Sequence, residues 1–175
     1  MKPWLRLLRH AWLDASDSRR ALSPEAAARV AQRVAESESR HSGEIRICIE
    51  AALPLPELWP PPPDAAMPGL LRHRARHWFG QLQVWDTEHN NGVLVYVLLA
   101  ERAIEIVADR GLSQRLEPGV WQAHLDTLRQ AFRRGDFEQG LLAVVDDLDH
   151  WMQQHFPAAP GVANPNELPD AVVLC

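Results

Sequence analysis

The sequence predicts a single-domain α/β protein, an α/β/α sandwich in which helices pack on a small mixed sheet that includes a central hairpin. Helical and strand periodicities alternate along the 175 residues, which suffice for one core. The apolar segment 93–100 has no polar face, as is typical of a strand covered on both sides. A second strand-like segment follows after only Glu101 and Arg102, which favours a hairpin.

The first elements follow an N-terminal helical extension expected over residues 1–21. A helix is predicted over 24–40, because Ser23 is a favoured N-cap residue and Pro24 suits the first helical position. In residues 44–51 isoleucines alternate with polar residues, and this alternation predicts a half-buried strand.

A proline-rich loop is predicted over residues 54–69, which contain half of the 14 prolines. Proline has no N–H to donate to a helix or a sheet, so we interpret this segment as a stiff connector rather than a polyproline ligand. The helical spacing of apolar residues predicts a helix over 70–83. Its other faces carry basic residues: Arg72, His73, Arg74, Arg76 and His77.

The C-terminal half predicts a hairpin strand over 103–108 and then two helices. The first helix is expected from Glu117 to Gly135, and Asp136 is expected to cap the second. From Pro157 onward the chain has four prolines and few core-forming residues. Residues 158–175 are therefore expected to form a flexible tail, which leaves 22–157 as the domain.

Composition excludes several classes of protein. The net charge of −5 argues against a general nucleic-acid binder. No signal peptide is recognisable, and the longest apolar run is far shorter than the roughly 20 residues that cross a bilayer. A cytoplasmic protein without a membrane span is therefore expected. The two cysteines have neither the number of a disulfide framework nor metal-ligand spacing, and Cys48 is interpreted as a buried free thiol.

The basic helix was considered as a metal site, because His73 and His77 are four residues apart. Arginines surround them and no carboxylate lies between them, so a cation would be repelled. Two interpretations remain for the five basic residues: a solvated face, or a surface that binds an anion or a partner protein.

The segment DTEHNNG, residues 86–92, is rich in oxygen donors, but it is not an EF-hand. Its glycine is one position late, and Val97 stands where a bidentate glutamate is required. In a tight hairpin, however, Asn91 should lie beside Asp109. With Asp86 they form a candidate Ca²⁺ or Mg²⁺ site, and the alternative is a simple pair of turns.

Recognisable catalytic motifs are absent from the sequence. It has no GxSxG elbow, no phosphate-binding GxxxxGK[ST] loop, no GxGxxG fingerprint and no CxxC pair. No organic cofactor is therefore expected.

Three segments in order, SGEIRICIE, NNGVLVYVLLAERAIEIVADRGL and FRRGDFEQGLLAVVDDL, resemble the TPM domain family, also called TPM phosphatase. The resemblance covers roughly residues 22–157. It implies a compact α/β sandwich and, in some relatives, a divalent cation near the loops described above. One plant branch of the family is an acid phosphatase, whereas other branches resemble assembly factors. This chain departs from the family in having Asp109-Arg110-Gly111 where many members have Gly-Tyr-Gly.

Two functional hypotheses follow. The favoured one is a non-catalytic interaction or assembly module with a divalent-cation site and an unidentified protein partner. The alternative is a metal-dependent phosphatase-like hydrolase, in which a cation on Asp86, Asn91 and Asp109 polarises a phosphate ester while Arg102 or Arg110 balances charge. Chemistry does not follow from a fold alone, so the site has to decide between them.

Overall fold

The computed structural model describes residues 3–115, 132, 134–159 and 165–175. The helices are α1 (Pro3–Trp12), α2 (Ala15–Ala21), α3 (Pro24–Glu38), α4 (Met67–Gln81), α5 (Arg110–Ser113) and α6 (Phe137–His155). The strands are β1 (Ile45–Glu50), β2 (Val93–Leu98), β3 (Ala103–Ala108) and β4 (Val173–Leu174). Most of the helix expected between Glu117 and Gly135 lies outside the described residues. No helix in the described ranges is long and apolar enough to cross a membrane.

The four strands form one mixed sheet in the order β3-β2-β1-β4. β1 runs parallel to both β2 and β4, whereas β2 and β3 form the predicted antiparallel hairpin. Between them the chain reverses through a 3₁₀ turn, Leu99–Glu101, and then Arg102, whose φ of 47° is left-handed. The inner position predicted for β2 is confirmed.

Helices cover both faces of the sheet, which confirms the α/β/α sandwich. On one face, alternate strand residues such as Ile47 and Val95 pack against α3 and α6. On the other, Leu94 and Leu98 pack with α4 and with Leu58 of the proline-rich segment. The core is therefore two apolar layers separated by the sheet.

β1 is more deeply buried than its alternating sequence predicted. All six of its residues are buried, including Arg46 and Glu50. The half-buried prediction is wrong because α4 and the C-terminal segment cover the face that the polar residues occupy, and those residues find hydrogen-bond partners there.

The end of the chain also differs from the flexible tail expected over 158–175. Residues 165–175 lie against the domain: Leu168 is buried, and β4 extends the sheet beside β1. Buried charged groups hold this segment. Glu44 accepts hydrogen bonds from the N–H groups of Glu167 (3.3 Å) and Leu168 (3.1 Å). These partners are distant in sequence, so the local composition did not indicate them.

Capping residues and prolines in the sequence predicted some helix starts correctly and others not. Ser23 caps α3 as predicted, its hydroxyl accepting from the Ala26 N–H at 3.2 Å. Asp136 occupies the N-cap position of α6 but its side chain makes no capping hydrogen bond, so that prediction is wrong. Helix α4 begins at Met67, three residues earlier than predicted, because Pro68 fits a first helical turn.

Candidate functional site

The loop between α4 and β2 is shaped by close backbone packing. Gln83 and Asn90 adopt left-handed φ values of 53° and 52°. A Cβ atom at Gly92 would lie 2.0 Å from the carbonyl oxygen of Val84. The turn composition predicted a left-handed backbone in this stretch; Asn90 supplies it, whereas Gly92 is needed for the close approach.

Asn91 is fully buried at the start of β2 and links two loops at the same end of the sheet. Its N–H donates to the hydroxyl of Thr87 (3.1 Å), and its side-chain amide donates to the carbonyl (2.9 Å) and hydroxyl (3.2 Å) of Ser42. Ser42 lies in the turn before β1, which runs parallel to β2. The Asn91 Oδ1 atom is buried without a hydrogen-bond partner among the described residues.

Asp109 lies across the hairpin from Gly92, the residue that follows Asn91. Val93 pairs with Ala108, and the N–H of Asp109 donates to the Gly92 carbonyl at 2.9 Å. One carboxylate oxygen of Asp109 accepts from the Arg110 N–H at 2.6 Å. The other, Oδ2, is buried and has no partner within the described part of the chain.

Two adjoining loops therefore each carry a buried, unpartnered side-chain oxygen. Leaving a buried acceptor unsatisfied costs about 1–3 kcal/mol, so such groups in a native protein require a partner such as an ordered water or an ion. Carboxylate and amide oxygens are the donors that Ca²⁺ and Mg²⁺ favour. The described ranges contain no cluster of three His, Cys, Asp or Glu side chains, so any cation here would also need backbone carbonyls or water.

The other residues assigned to this site lie in different places. Asp86 is exposed in the turn before Thr87, with its N–H bonded to the Gln83 carbonyl. Arg110 is adjacent, and its guanidinium lies 3.5 Å from the Asn90 side-chain oxygen. Arg102 lies at the opposite end of the hairpin, about 20 Å away given a strand rise of about 3.4 Å per residue. Arg102 therefore cannot balance charge at Asp109, whereas Arg110 can.

The five basic residues of α4 do not form one open surface. Arg74 is largely buried and binds Glu50 at 2.5 Å and Glu57 at 2.9 Å. Arg72 pairs with Glu105 at 2.6 Å. Two of the five basic side chains are therefore engaged in ion pairs. The remaining basic surface consists of the exposed residues His73, Arg76 and His77.

A Ser–His–Asp contact that sequence reasoning missed lies between α3 and α6. The Ser37 hydroxyl is 2.8 Å from Nε2 of His41, and the same ring nitrogen is 3.7 Å from Asp149. A catalytic triad needs the carboxylate on the opposite ring nitrogen from the hydroxyl. Ser37 and His41 are also fully buried. This arrangement is therefore structural.

A cluster of buried ionisable side chains beneath the C-terminal segment was also missed, because alternation in β1 assigned its polar residues to solvent and Glu38 lies at the end of α3. Glu38 accepts from the Ile45 N–H at 2.7 Å, and Arg46 donates to the Ala171 carbonyl at 3.2 Å. Desolvation raises the pKa of Glu38 to about 9. The hydrogen bond from the Ile45 N–H lowers this pKa, whereas repulsion by Glu44 raises it further. Glu38 is consequently protonated in the native protein at neutral pH.

This protonation makes stability fall as pH rises. Between the ordinary pKa of 4.5 and about 9, native Glu38 holds a proton that the unfolded chain releases. Its stabilising contribution is complete below pH 4.5 and lost as pH rises through 9. Glu38→Gln should therefore flatten the profile and be more stable than wild type at pH 9 by roughly 1–3 kcal/mol.

Urea unfolding at pH 6 and pH 9, followed by tryptophan fluorescence, measures this difference. Glu36 is exposed on the same helix, so Glu36→Gln should lose as much unfolding free energy between pH 6 and pH 9 as the wild type does. If the unfolding free energy of Glu38→Gln changed with pH as much as that of Glu36→Gln, the pKa of Glu38 would not be raised in the native protein.

Most of the large apolar side chains that are exposed in the described part of the chain lie on α1 and the proline-rich segment. Trp4, Leu7, Leu8, Leu55 and Trp59 border an apolar groove of about 710 Å³. Trp12 and Trp59 are 84% and 72% exposed. Exposed apolar patches of this kind mark interaction sites on soluble domains.

Comparison with known proteins gives the family. The TPM domain model matches residues 15–150, beginning at α2 and ending within α6. The NMR structure of the BA42 protein from the psychrophilic bacterium Bizionia argentinensis superimposes with a TM-score of 0.71 and 24% identity, covering 87% of this chain and 94% of that one. That identity shows a shared fold only. No curated protein matches significantly. Because the TPM domain model spans well over half of the sequence, the chain belongs to the TPM domain family.

Proposed function

We propose that this TPM-domain chain is a non-catalytic interaction module that binds a divalent cation, Ca²⁺ or Mg²⁺, between the loops carrying Asn91 and Asp109. The observation that supports it is the pair of buried, unpartnered oxygens, Asn91 Oδ1 and Asp109 Oδ2, on adjoining loops. A cation bound by both oxygens would tie the loop before β2 to the end of β3.

The donor set fits a hard cation. Beside the two side-chain oxygens, the backbone carbonyls of His89 and Asn90 crowd Gly111, where a Cβ would lie 2.6 and 2.7 Å from them. Asp86 is an exposed carboxylate in the same loop as Asn91, five residues earlier. Flexible oxygen coordination from loops, carbonyls and water is typical of Ca²⁺, and a more hydrated version of it suits Mg²⁺.

The hydroxyl groups near these loops support a non-catalytic role. Thr87 accepts from the Asn91 N–H, and Ser113 donates to the Arg110 carbonyl at 3.3 Å. Within the described part of the chain, neither contacts a base that would activate it as a nucleophile. The Ser37 hydroxyl does contact His41, but Ser37 is fully buried and not accessible to a substrate.

We assign the partner-binding surface to the apolar groove between α1 and the proline-rich segment rather than to the basic helix. Trp4 on α1 and Trp59 in the proline-rich segment both line this groove and expose large apolar area. Tryptophan is enriched among the residues that carry most of the energy in protein interfaces. The partner proposed is a protein with a complementary apolar surface.

Thermal unfolding with Ca²⁺, Mg²⁺ or EDTA tests the cation. At a concentration 100 times Kd, a ligand specific for the native state adds about 2.7 kcal/mol, which for a chain of this size raises Tm by roughly 5–10 °C. Asp109→Asn keeps the acceptor for the Arg110 N–H and should abolish that rise. Asp146→Asn, an exposed control on α6, should retain it. An equal Tm in cation and EDTA for wild type would refute cation binding.

Two further measurements on the same proteins test the rest of the proposal. Hydrolysis of p-nitrophenyl phosphate should be absent with either cation; activity that EDTA and Asp109→Asn both remove would instead establish the phosphatase-like hydrolase. A protein captured by the wild type should be lost with Trp59→Ser, at unchanged Tm. A captured protein that binds Trp59→Ser equally well would exclude the apolar groove as its binding site.

A further inference from the structure

The two cysteines, 127 positions apart in sequence, meet in the folded chain. The Sγ atoms of Cys48 and Cys175 are 3.8 Å apart. Cys48 lies in β1, and Cys175 directly follows β4, its parallel neighbour. Both are free thiols. Spacing along the chain could not reveal this contact, because it depends on the C-terminal segment adding a strand to the sheet.

The backbone places both side chains on the same face of the sheet. The N–H of Cys175 donates to the Ile49 carbonyl at 2.9 Å, and the N–H of Ala51 donates to the Cys175 carbonyl at 2.8 Å. Cys175 therefore stands opposite Glu50, two residues beyond Cys48, and residues two apart share a face. A disulfide of about 2.05 Å requires the sulfurs to approach by roughly 1.8 Å.

The edge strand is the part that can supply this movement. β4 has two residues and pairs with β1 on one side only, whereas Cys48 sits inside β1 between β2 and β4. The Ser18 hydroxyl donates to the Cys175 carbonyl at 2.8 Å, which keeps the residue near Cys48.

The two thiols differ in reactivity. Cys175 is partly exposed, and its pKa is lowered by the hydrogen bond with the Cys48 thiol and, to a smaller degree, by the Arg74 guanidinium. Cys48 is fully buried, and the hydrogen bond and burial raise its pKa. Because the thiolate is the nucleophile, Cys175 reacts first and Cys48 second.

We propose that Cys48 and Cys175 form a reversible dithiol–disulfide site whose oxidation locks the C-terminal segment onto the edge of the sheet. The oxidant is a low-molecular-weight disulfide such as oxidised glutathione. The Cys175 thiolate attacks one of its sulfurs and releases one glutathione thiolate, which takes up a proton. Cys48 then loses its proton to solvent, attacks the Cys175 sulfur and releases the second glutathione. Two protein thiols are oxidised and one glutathione disulfide is reduced.

The consequence is control of the segment that covers the buried charges. In the dithiol state residues 165–175 are held by β4 and by hydrogen bonds to Glu44 and Arg46. The disulfide closes the chain from Cys48 to Cys175 and prevents β4 from separating. This site lies on a different sheet edge from Asn91 and Asp109, so it is independent of the proposed cation binding.

Treating the full chain with oxidised glutathione tests the site. Free thiols should fall from two to none, the intact mass should show no glutathione adduct, and peptide mapping should join Cys48 to Cys175. Tm should rise by about 5 °C or more, reversibly with dithiothreitol, and amide exchange should slow in residues 165–175.

Single substitutions separate the two steps. Cys48→Ser should accumulate a stable glutathione adduct on Cys175, because no second thiol resolves it, and Cys175→Ser should stay unmodified at the buried Cys48. A wild-type adduct as persistent as that of Cys48→Ser would overturn the proposal. Disulfide-linked dimers, or wild-type thiols that do not react, would overturn it as well.

Discussion

Replacing Glu50 by alanine should lower the free energy of unfolding by about 3–5 kcal/mol, because it breaks a buried ion pair by removing one partner. The Glu50 carboxylate accepts hydrogen bonds from Arg74 at 2.5 Å, from the Trp78 indole at 3.0 Å and from the Tyr96 hydroxyl at 2.6 Å. Without it Arg74 loses its buried partner and retains its ion pair with Glu57, whereas the Trp78 indole and the buried Tyr96 hydroxyl lose the acceptor described above. Urea unfolding monitored by circular dichroism measures the loss.

Two controls separate this effect from a general loss of packing. Glu50→Leu combined with Arg74→Met removes both charges and should recover most of the stability, since apolar replacements of buried ion pairs are often neutral. Glu138→Ala, which breaks an exposed pair with Arg29, should lower the free energy of unfolding far less than Glu50→Ala does, because solvent screens exposed pairs. A loss for Glu50→Ala no larger than that for Glu138→Ala would contradict the assignment.

Gly92→Ala should destabilise the protein by roughly 3 kcal/mol, at the upper end of overpacking effects. The added Cβ would lie 2.0 Å from the Val84 carbonyl oxygen, and a backbone atom cannot move aside as a side-chain end can. The shift would displace the neighbouring Asn91 and therefore reduce the cation-dependent rise in Tm as well. Thermal unfolding with and without Ca²⁺ measures both effects.

Gly80→Ala provides the matched control. Gly80 lies near the end of α4, and a Cβ there meets nothing within 4 Å. Alanine should therefore stabilise the helix by about 0.5–1 kcal/mol. If Gly92→Ala were as stable as Gly80→Ala, the close packing of the loop before β2 would be excluded.

Local sequence was sufficient for most of the fold. Ser23-Pro24 placed the start of α3, and the continuous apolar run from Val93 identified an inner strand, because capping and hydrophobic periodicity act over a few residues. The hairpin register then placed Asp109 opposite Gly92, next to Asn91. The same reasoning could not exclude Arg102 from the proposed cation site, since opposite ends of a strand are distinguished only once its length is known.

By itself the sequence determined the α/β sandwich, the inner strand β2 and its hairpin with β3, since hydrophobic periodicity and short-range spacing specify them. Only the tertiary structure decided that Glu50 is a buried ion-pair partner, that residues 165–175 complete the sheet, and that Cys48 meets Cys175. In each case the deciding partner lies far along the chain. A polar residue in a strand faces water or the interior according to what packs over it, and that depends on the assembled core rather than on neighbouring residues.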